Sequence, residues 1–185
     1  VPLRVRGGRL EVYVVPTDDG WTLPTVAPAP QAGLQSEAER LGLAVLGLPG
    51  TPVQFGAVGA PATGLSVVFT YLVSPPEIGE PVHRGADPQA SWWDVRGVRP
   101  APDVESLLTR ALARLEYDVE HGMAGFGLVS REFTVSEVRR VHQAVRGVEL
   151  DPSNFRKRVS RWVIEGLVEE LPRMRPTATR PARLY

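Results

Sequence analysis

The chain has 185 residues, 43% hydrophobic and 23% charged, so it can bury one good core or two small ones; a disordered tail, a fibrous repeat and a disulfide mini-protein are excluded. It contains no cysteine, which removes thiol catalysis, cysteine-ligated zinc and disulfide staples together. The net charge of +0 hides a split, since residues 1–121 carry nine Arg against fourteen acids (−5) and residues 122–185 carry eleven Arg and Lys157 against seven acids (+5). That asymmetry points to an acidic domain joined to a nucleic-acid-binding one, with an uneven but solvated surface as the plainer alternative. The longest apolar runs, residues 12–16 and 65–73, fall far short of the roughly 20 residues that cross a bilayer, and no signal peptide is legible. No membrane association and a cytoplasmic location are expected.

Most of the 18 Gly and 18 Pro lie before residue 103, where short segments rich in β-branched and aromatic residues predict strands at 10–15, 52–58, 65–73 and 91–95. A single short helix is expected at about 35–41, ended by Gly42. From residue 103 the rhythm changes. Asp103 reads as an N-cap, and Leu107, Leu108, Ala111, Leu112 and Leu115 recur at helical spacing, predicting a helix to Glu120 that stops at Gly122. The domain boundary is placed there, giving domains 1–121 and 122–185.

The last third is the most legible. Thr134 to Glu137 is a capping-box pattern, followed by an apolar stripe of Val135, Val138, Val141, His142 and Val145 that ends at Gly147. A second helix starts with Asp151-Pro152, a cap residue and then a proline where its missing N–H costs nothing. Phe155, Val159, Trp162 and Val163 form its buried face, and Gly166 closes it. Two short strands, one within 167–171 and one within 181–185, around a basic loop predict a β-hairpin. Helix, link, helix and two-stranded wing is the layout of a winged helix-turn-helix.

Projection of the second helix leaves Ser153, Asn154, Lys157, Ser160 and Arg161 outward, with Arg156 and Arg158 on the flanks. Asn suits an adenine edge, Arg or Lys a guanine, and Ser a phosphate. The wing adds Arg173, Arg175, Arg180 and Arg183. Double-stranded DNA is therefore the expected partner, against the alternative of a solvated basic helix face. With Thr134 at the head of the first helix, the expected DNA-contacting set is Thr134, Ser153, Asn154, Arg156, Lys157, Ser160, Arg161, Arg175, Arg180 and Arg183.

Three segments, Phe133-Thr134-Val135-Ser136-Glu137, Asp151-Pro152-Ser153-Asn154-Phe155-Arg156-Lys157-Arg158 and Arg180-Pro181-Ala182-Arg183-Leu184-Tyr185, closely resemble in order and spacing the C-terminal winged helix of Nudix-related transcriptional regulators. Upstream, Gly20-Trp21-Thr22-Leu23-Pro24 resembles the G-W-x-L-P before the Nudix box, Gln54-Phe55-Gly56 the strand after it, and Ser91-Trp92-Trp93-Asp94-Val95 the family's a-W-f-x-v segment. Residues 103–115 are similar to the helix that links the two domains. The resemblance spans about residues 10–185. It implies an α+β protein, a Nudix-like mixed-sheet domain followed by a winged helix-turn-helix domain, acting as a bacterial DNA-binding regulator. It further implies a homodimer and a nucleotide or sugar effector such as ADP-ribose or another NAD-linked nucleotide.

The Nudix hydrolase motif G-x5-E-x7-R-E-U-x-E-E-x-G-U places several carboxylates on one helix to hold divalent ions. Here Thr25-Val26 replace the Gly-Gly after Leu-Pro, and a Pro- and Ala-rich stretch, 27–31, follows. Aligning Gly42-Leu43 with the closing G-U leaves Gln35, Ser36 and Arg40 where Arg and two Glu belong; Glu39 alone falls on a carboxylate position. Nudix hydrolysis is not expected, Glu37 and Glu39 read as solvated helix residues, and no catalytic residue, metal or cofactor is assigned. His83, His121 and His142 lack ligand spacing. Two other readings stay open: a residual Nudix-type hydrolase, and a ligand-independent architectural DNA- or protein-binding module.

Overall fold

Leu3 and Val5 alternate with Arg4 and Arg6, and the segment forms a strand, β1 (Pro2–Arg6), whose Leu3 is fully buried. Gly7 and Gly8, both in the left-handed backbone region (φ 57° and 78°), make the tight turn into β2 (Arg9–Thr17), with Leu3 opposite Val12. The computed structural model describes residues 1–18, 20–25, 33–47, 50–60, 64–73, 90–97, 99–178 and 180–185. Val26, the 27–31 stretch and His83 lie outside them.

The sheet runs β3-β2-β1-β5-β4, with β3 (Gly20–Thr22), β4 (Thr51–Ala60) and β5 (Gly64–Val73); β6 (Ser91–Asp94) pairs with β2 beside β3. β1 and β5 are parallel and the other pairings antiparallel, so the sheet is mixed. All four predicted strands are present; β1 and β3 are additional. Period-two alternation splits the sheet into two faces. Leu3, Leu10, Val12, Val14 and Leu72 enter the main core, while Tyr13, Tyr71 and Val73 pack with Leu46 on the opposite face.

That opposite face is covered by α1 (Leu34–Leu46), which continues through Gly42 instead of stopping there and ends at Gly47 in the left-handed conformation. The reason is packing: a Cβ on Gly42 would sit 2.2 Å from the Tyr71 ring. Gly42 lets the ring lie against the helix backbone. The main core is roofed by α2 (Pro102–His121), whose Val104, Leu108, Ala111, Leu115 and Val119 make one continuous buried stripe. Its N-cap is Ala101 with Pro102 at the first turn, two residues ahead of the cap expected at Asp103.

A short 3₁₀ turn (Ala124–Leu128) then leads to α3 (Val135–Arg146) and α4 (Pro152–Ile164). The wing is β7 (Met174–Arg175) paired with β8 (Ala182–Arg183). The first wing strand therefore lies later than the 167–171 segment expected from sequence. Gly166 (φ 71°) and Leu167 donate their N–H groups to the Val163 and Trp162 carbonyls, so this chain closes α4 before a strand can start. The two halves share a core: one buried cluster contains Leu3 and Leu72 of the sheet together with Leu128, Val138, Phe155 and Trp162.

Candidate nucleic-acid interface

The capping box is formed as its sequence predicts. The Glu137 N–H donates to the Thr134 hydroxyl at 3.3 Å, and the Thr134 N–H donates to the Glu137 carboxylate at 2.7 Å. This corrects one site assignment: Thr134 is 6% exposed and its hydroxyl serves the cap, so its side chain faces the helix start and not a DNA surface. At α4, the Asp151 carboxylate accepts the Asn154 N–H at 2.7 Å, and Pro152 occupies the first turn.

Phe155, Val159 and Trp162 are buried, Val163 is half-buried, and an aromatic cluster fixes α4 against α3. The His142 ring meets Phe155 edge-on at 5.0 Å and lies 5.8 Å from Trp162, which in turn meets Phe126 edge-on at 5.2 Å. Burial pushes the His142 imidazole down to about 3, and the nearby Arg158 and Arg146 charges act in the same direction. It is a neutral core residue, and its Nδ1 has no hydrogen-bond partner among the described residues.

The opposite face of α4 presents Ser153, Asn154, Arg156, Lys157, Ser160 and Arg161, all exposed. Among the described residues, Arg156, Lys157 and Arg161 form no ion pair. The Ser160 hydroxyl donates to the Arg156 carbonyl at 3.1 Å, which leaves its lone pairs outward. Arg158 is different. Its guanidinium donates to the Glu120 carbonyl at the end of α2 and lies 5.4 Å over the Trp162 ring, tying α4 to the linking helix.

The wing cations divide in the same way. Arg175, expected at phosphate, turns inward: it donates to both Glu137 carboxylate oxygens at 2.7 and 2.9 Å and to the Glu132 carbonyl at 2.9 Å. Its guanidinium anchors the wing to the start of α3. Arg173 pairs with Glu132 and Arg183 with Glu170, both in exposed pairs of little intrinsic worth. Arg180 is exposed at the wing loop with no ion pair among the described residues. Tyr185 closes the domain by exchanging backbone hydrogen bonds with Phe133 at 2.9 and 3.1 Å, while Leu184 is buried. Sequence reasoning missed the Arg175–Glu137 and Arg158–Glu120 ties, because partners 38 residues apart leave no local pattern.

On α1 the structure corrects the reading of Glu37. It is 8% exposed and accepts two hydrogen bonds from the Arg40 guanidinium, at 3.1 and 2.8 Å, whereas Glu39 is exposed. Among the described residues, no three of His, Asp or Glu gather closely enough to hold a metal ion. No helix among them is long and apolar enough to cross a membrane.

Residues 125–185 match the NrtR DNA-binding winged helix domain family. Over 83 residues the chain is 30% identical to a protein of Acinetobacter baylyi described as an ADPR responsive transcriptional repressor, NtrR. That match covers 45% of this chain and 32% of the relative, so the chain spans about a third of the length of the curated relative it matches. Shewanella oneidensis NrtR complexed with a 27mer DNA superposes with a TM-score of 0.76 at 22% identity, covering 100% of this chain and 89% of that one. A MutT/nudix family protein from Enterococcus faecalis superposes with a TM-score of 0.78 at 19% identity, covering 100% and 84%. In fold, the chain is NrtR-like: a Nudix-like mixed-sheet domain followed by a winged helix of the NrtR type.

Proposed function

We propose that this chain is a sequence-specific, DNA-binding transcriptional regulator, with residues 122–185 as the DNA-binding domain and residues 1–121 as the effector domain. The observation that carries the reading is the outer face of α4, where Asn154, Arg156, Lys157 and Arg161 stand exposed beside Ser153 and Ser160, the three cations without an ion pair among the described residues. These are the groups that grip phosphates and read base edges in the major groove. Arg180 extends that surface to the wing, and the exposed Arg183 can exchange Glu170 for phosphate. The winged-helix family match and the repressor description of the Acinetobacter relative support this reading.

In the same reading the protein works in the cytoplasm as a homodimer on two half-sites about one or two DNA turns apart. The relative's ADPR responsiveness supports ADP-ribose or a related nucleotide as effector. The Nudix-like domain binds its ligand without hydrolysing it, because Glu39 alone stands at a retained carboxylate position of the motif, and Ser36 and Arg40 replace two of the others. Turnover of ADP-ribose with Mg²⁺ or Mn²⁺ that Glu39→Gln abolishes would overturn that part.

The deciding experiment is selection of fragmented genomic DNA by the purified protein at physiological salt, with and without ADP-ribose. Recovery of a short palindromic site is expected, with release by ADP-ribose. Weak, sequence-independent binding with a steep salt dependence contradicts the reading.

A further inference from the structure

We propose that the cleft between the sheet domain and the winged helix binds a small phosphorylated anion of diphosphate type, gripped by Arg9, Arg96 and Arg140. The proposal deepens the effector half of the reading above by giving it a place, and it is testable without DNA.

The cleft measures about 1390 Å³ and is walled by both domains. One wall is the β1–β2 turn, Gly7 to Leu10, and the end of β6 at Asp94 to Arg96; the other is α3 and the first wing strand. Small-molecule sites commonly occupy about 300–1,000 Å³ and favour domain junctions, so the space suffices for a nucleotide-sized ligand.

Its charges are unevenly satisfied. Of the arginines lining it, Arg173 is paired with Glu132 and Arg175 with Glu137. Arg9, Arg96 and Arg140 also line it, each exposed and without an ion pair among the described residues. On the acidic side, Glu149 accepts from Gln143, and Asp94 accepts the Arg96 backbone N–H at 2.9 Å. Three guanidinium groups, from β2, the turn after β6 and α3, thus face one space that Asp94 and Glu149 also line, and none of the three is ion-paired with a carboxylate among the described residues. Planar guanidinium forks match phosphate oxygens in pairs.

Arg96 also reaches the opposite wall. Its guanidinium lies so close to the end of α3 that a Cβ on Gly147 would be 2.7 Å from Nη2. A ligand seated here touches residues of both halves of the chain.

The position favours a small molecule over a DNA backbone. Glu137, Arg140, Val141 and Ala144 of α3 line the cleft, whereas His142 on the other side of α3 packs against Phe155 and Trp162 of α4. The cleft therefore lies behind α3, away from the outer face of α4.

The test is calorimetric titration of inorganic pyrophosphate into the full chain at physiological salt, with ADP-ribose titrated in parallel. Saturable binding of one pyrophosphate per chain is expected. Arg96→Ala and Arg140→Ala should each weaken it at least about tenfold, and Arg131→Ala, an exposed arginine outside the cleft, by less than about twofold. Should either alanine variant fail to fold, Arg96→Lys and Arg140→Lys keep the charge but lose the fork, and a several-fold loss is expected instead.

Absence of binding, binding indifferent to both substitutions, or equal loss in Arg131→Ala overturns the proposal. So does a loss of DNA affinity in Arg9→Ala or Arg96→Ala as large as in Arg161→Ala without any added anion, because DNA phosphate would then be the occupant. Tight ADP-ribose binding that ignores all three arginines sinks this site while leaving the regulator reading intact.

Discussion

Arg175 and Glu137 are 38 residues apart in sequence, yet the Arg175 guanidinium donates to both oxygens of the Glu137 carboxylate at 2.7 and 2.9 Å. The same carboxylate receives the Thr134 N–H and hydroxyl, so a single acid caps α3 and anchors the wing. Glu137→Ala should cost about 1–3 kcal/mol through loss of the capping box and of a charge-assisted pair. Arg175→Ala should cost less, because the pair is partly solvent-exposed, with side chains 29% and 39% accessible. A double-mutant cycle read by urea unfolding should return a coupling of about 1 kcal/mol; a value near zero would mean the contact contributes nothing to docking the wing.

The winged helix was largely legible because each of its devices is local. Thr134 and Glu137 sit three apart, Asp151-Pro152 adjoin, and Phe155, Val159 and Trp162 keep helical spacing. The failures were tertiary. Gly42 reads as a helix stop in any local scheme, and Tyr71, 29 positions along and on another element, converts it into a packing position. β1 was missed although its alternation and the Gly7-Gly8 turn were visible, since five residues with two arginines make a weak strand until β2 and β5 flank it. Among candidate DNA contacts, the exposed face of α4 follows from periodicity alone. Which wing arginines turn inward depends on Glu132, Glu137 and Glu170, and no spacing rule reveals those pairings.

The α4 face predicts a division of labour measurable by fluorescence anisotropy. If Arg161 forks onto a guanine, Arg161→Ala should cost about 1–3 kcal/mol on the cognate site and tolerate substitution at one base pair. Lys157→Ala, removing a compact charge at phosphate, should weaken all sequences alike and lower the salt slope by about one. Identical losses on cognate and random DNA in both variants would place Arg161 on the backbone instead.

Gly42 and Tyr71 set two effects against each other. Alanine in place of glycine favours a helix interior by about 1 kcal/mol. The added Cβ, however, would lie 2.2 Å from the Tyr71 ring, and overpacking of that kind costs about 1–3 kcal/mol. Gly42→Ala should therefore lower stability in the native background. With Tyr71→Val removing the ring, the same substitution should become neutral or stabilising by up to about 1 kcal/mol. Thermal unfolding of the four proteins decides it, and a Gly42→Ala protein more stable than the parent would contradict the packing account.

His142 gives the protein a pH dependence of definite sign. Burial holds the native imidazole at about 3 against an ordinary value of 6.5, so below pH 6.5 the unfolded chain takes up a proton that the folded chain refuses. The stability contributed by this group is fully present above pH 6.5 and is lost as pH falls toward 3, with a slope approaching about 1.4 kcal/mol per pH unit. His142→Leu removes the titrating group and the partnerless Nδ1 while keeping an apolar side chain between Phe155 and Trp162. Carboxylate titration is common to both proteins, so the stability of the variant relative to the parent should rise steadily as denaturant unfolding is repeated from pH 6 down to pH 4. Parallel curves over that range would mean that His142 protonates in the folded state, and that the α3–α4 core admits water at its centre.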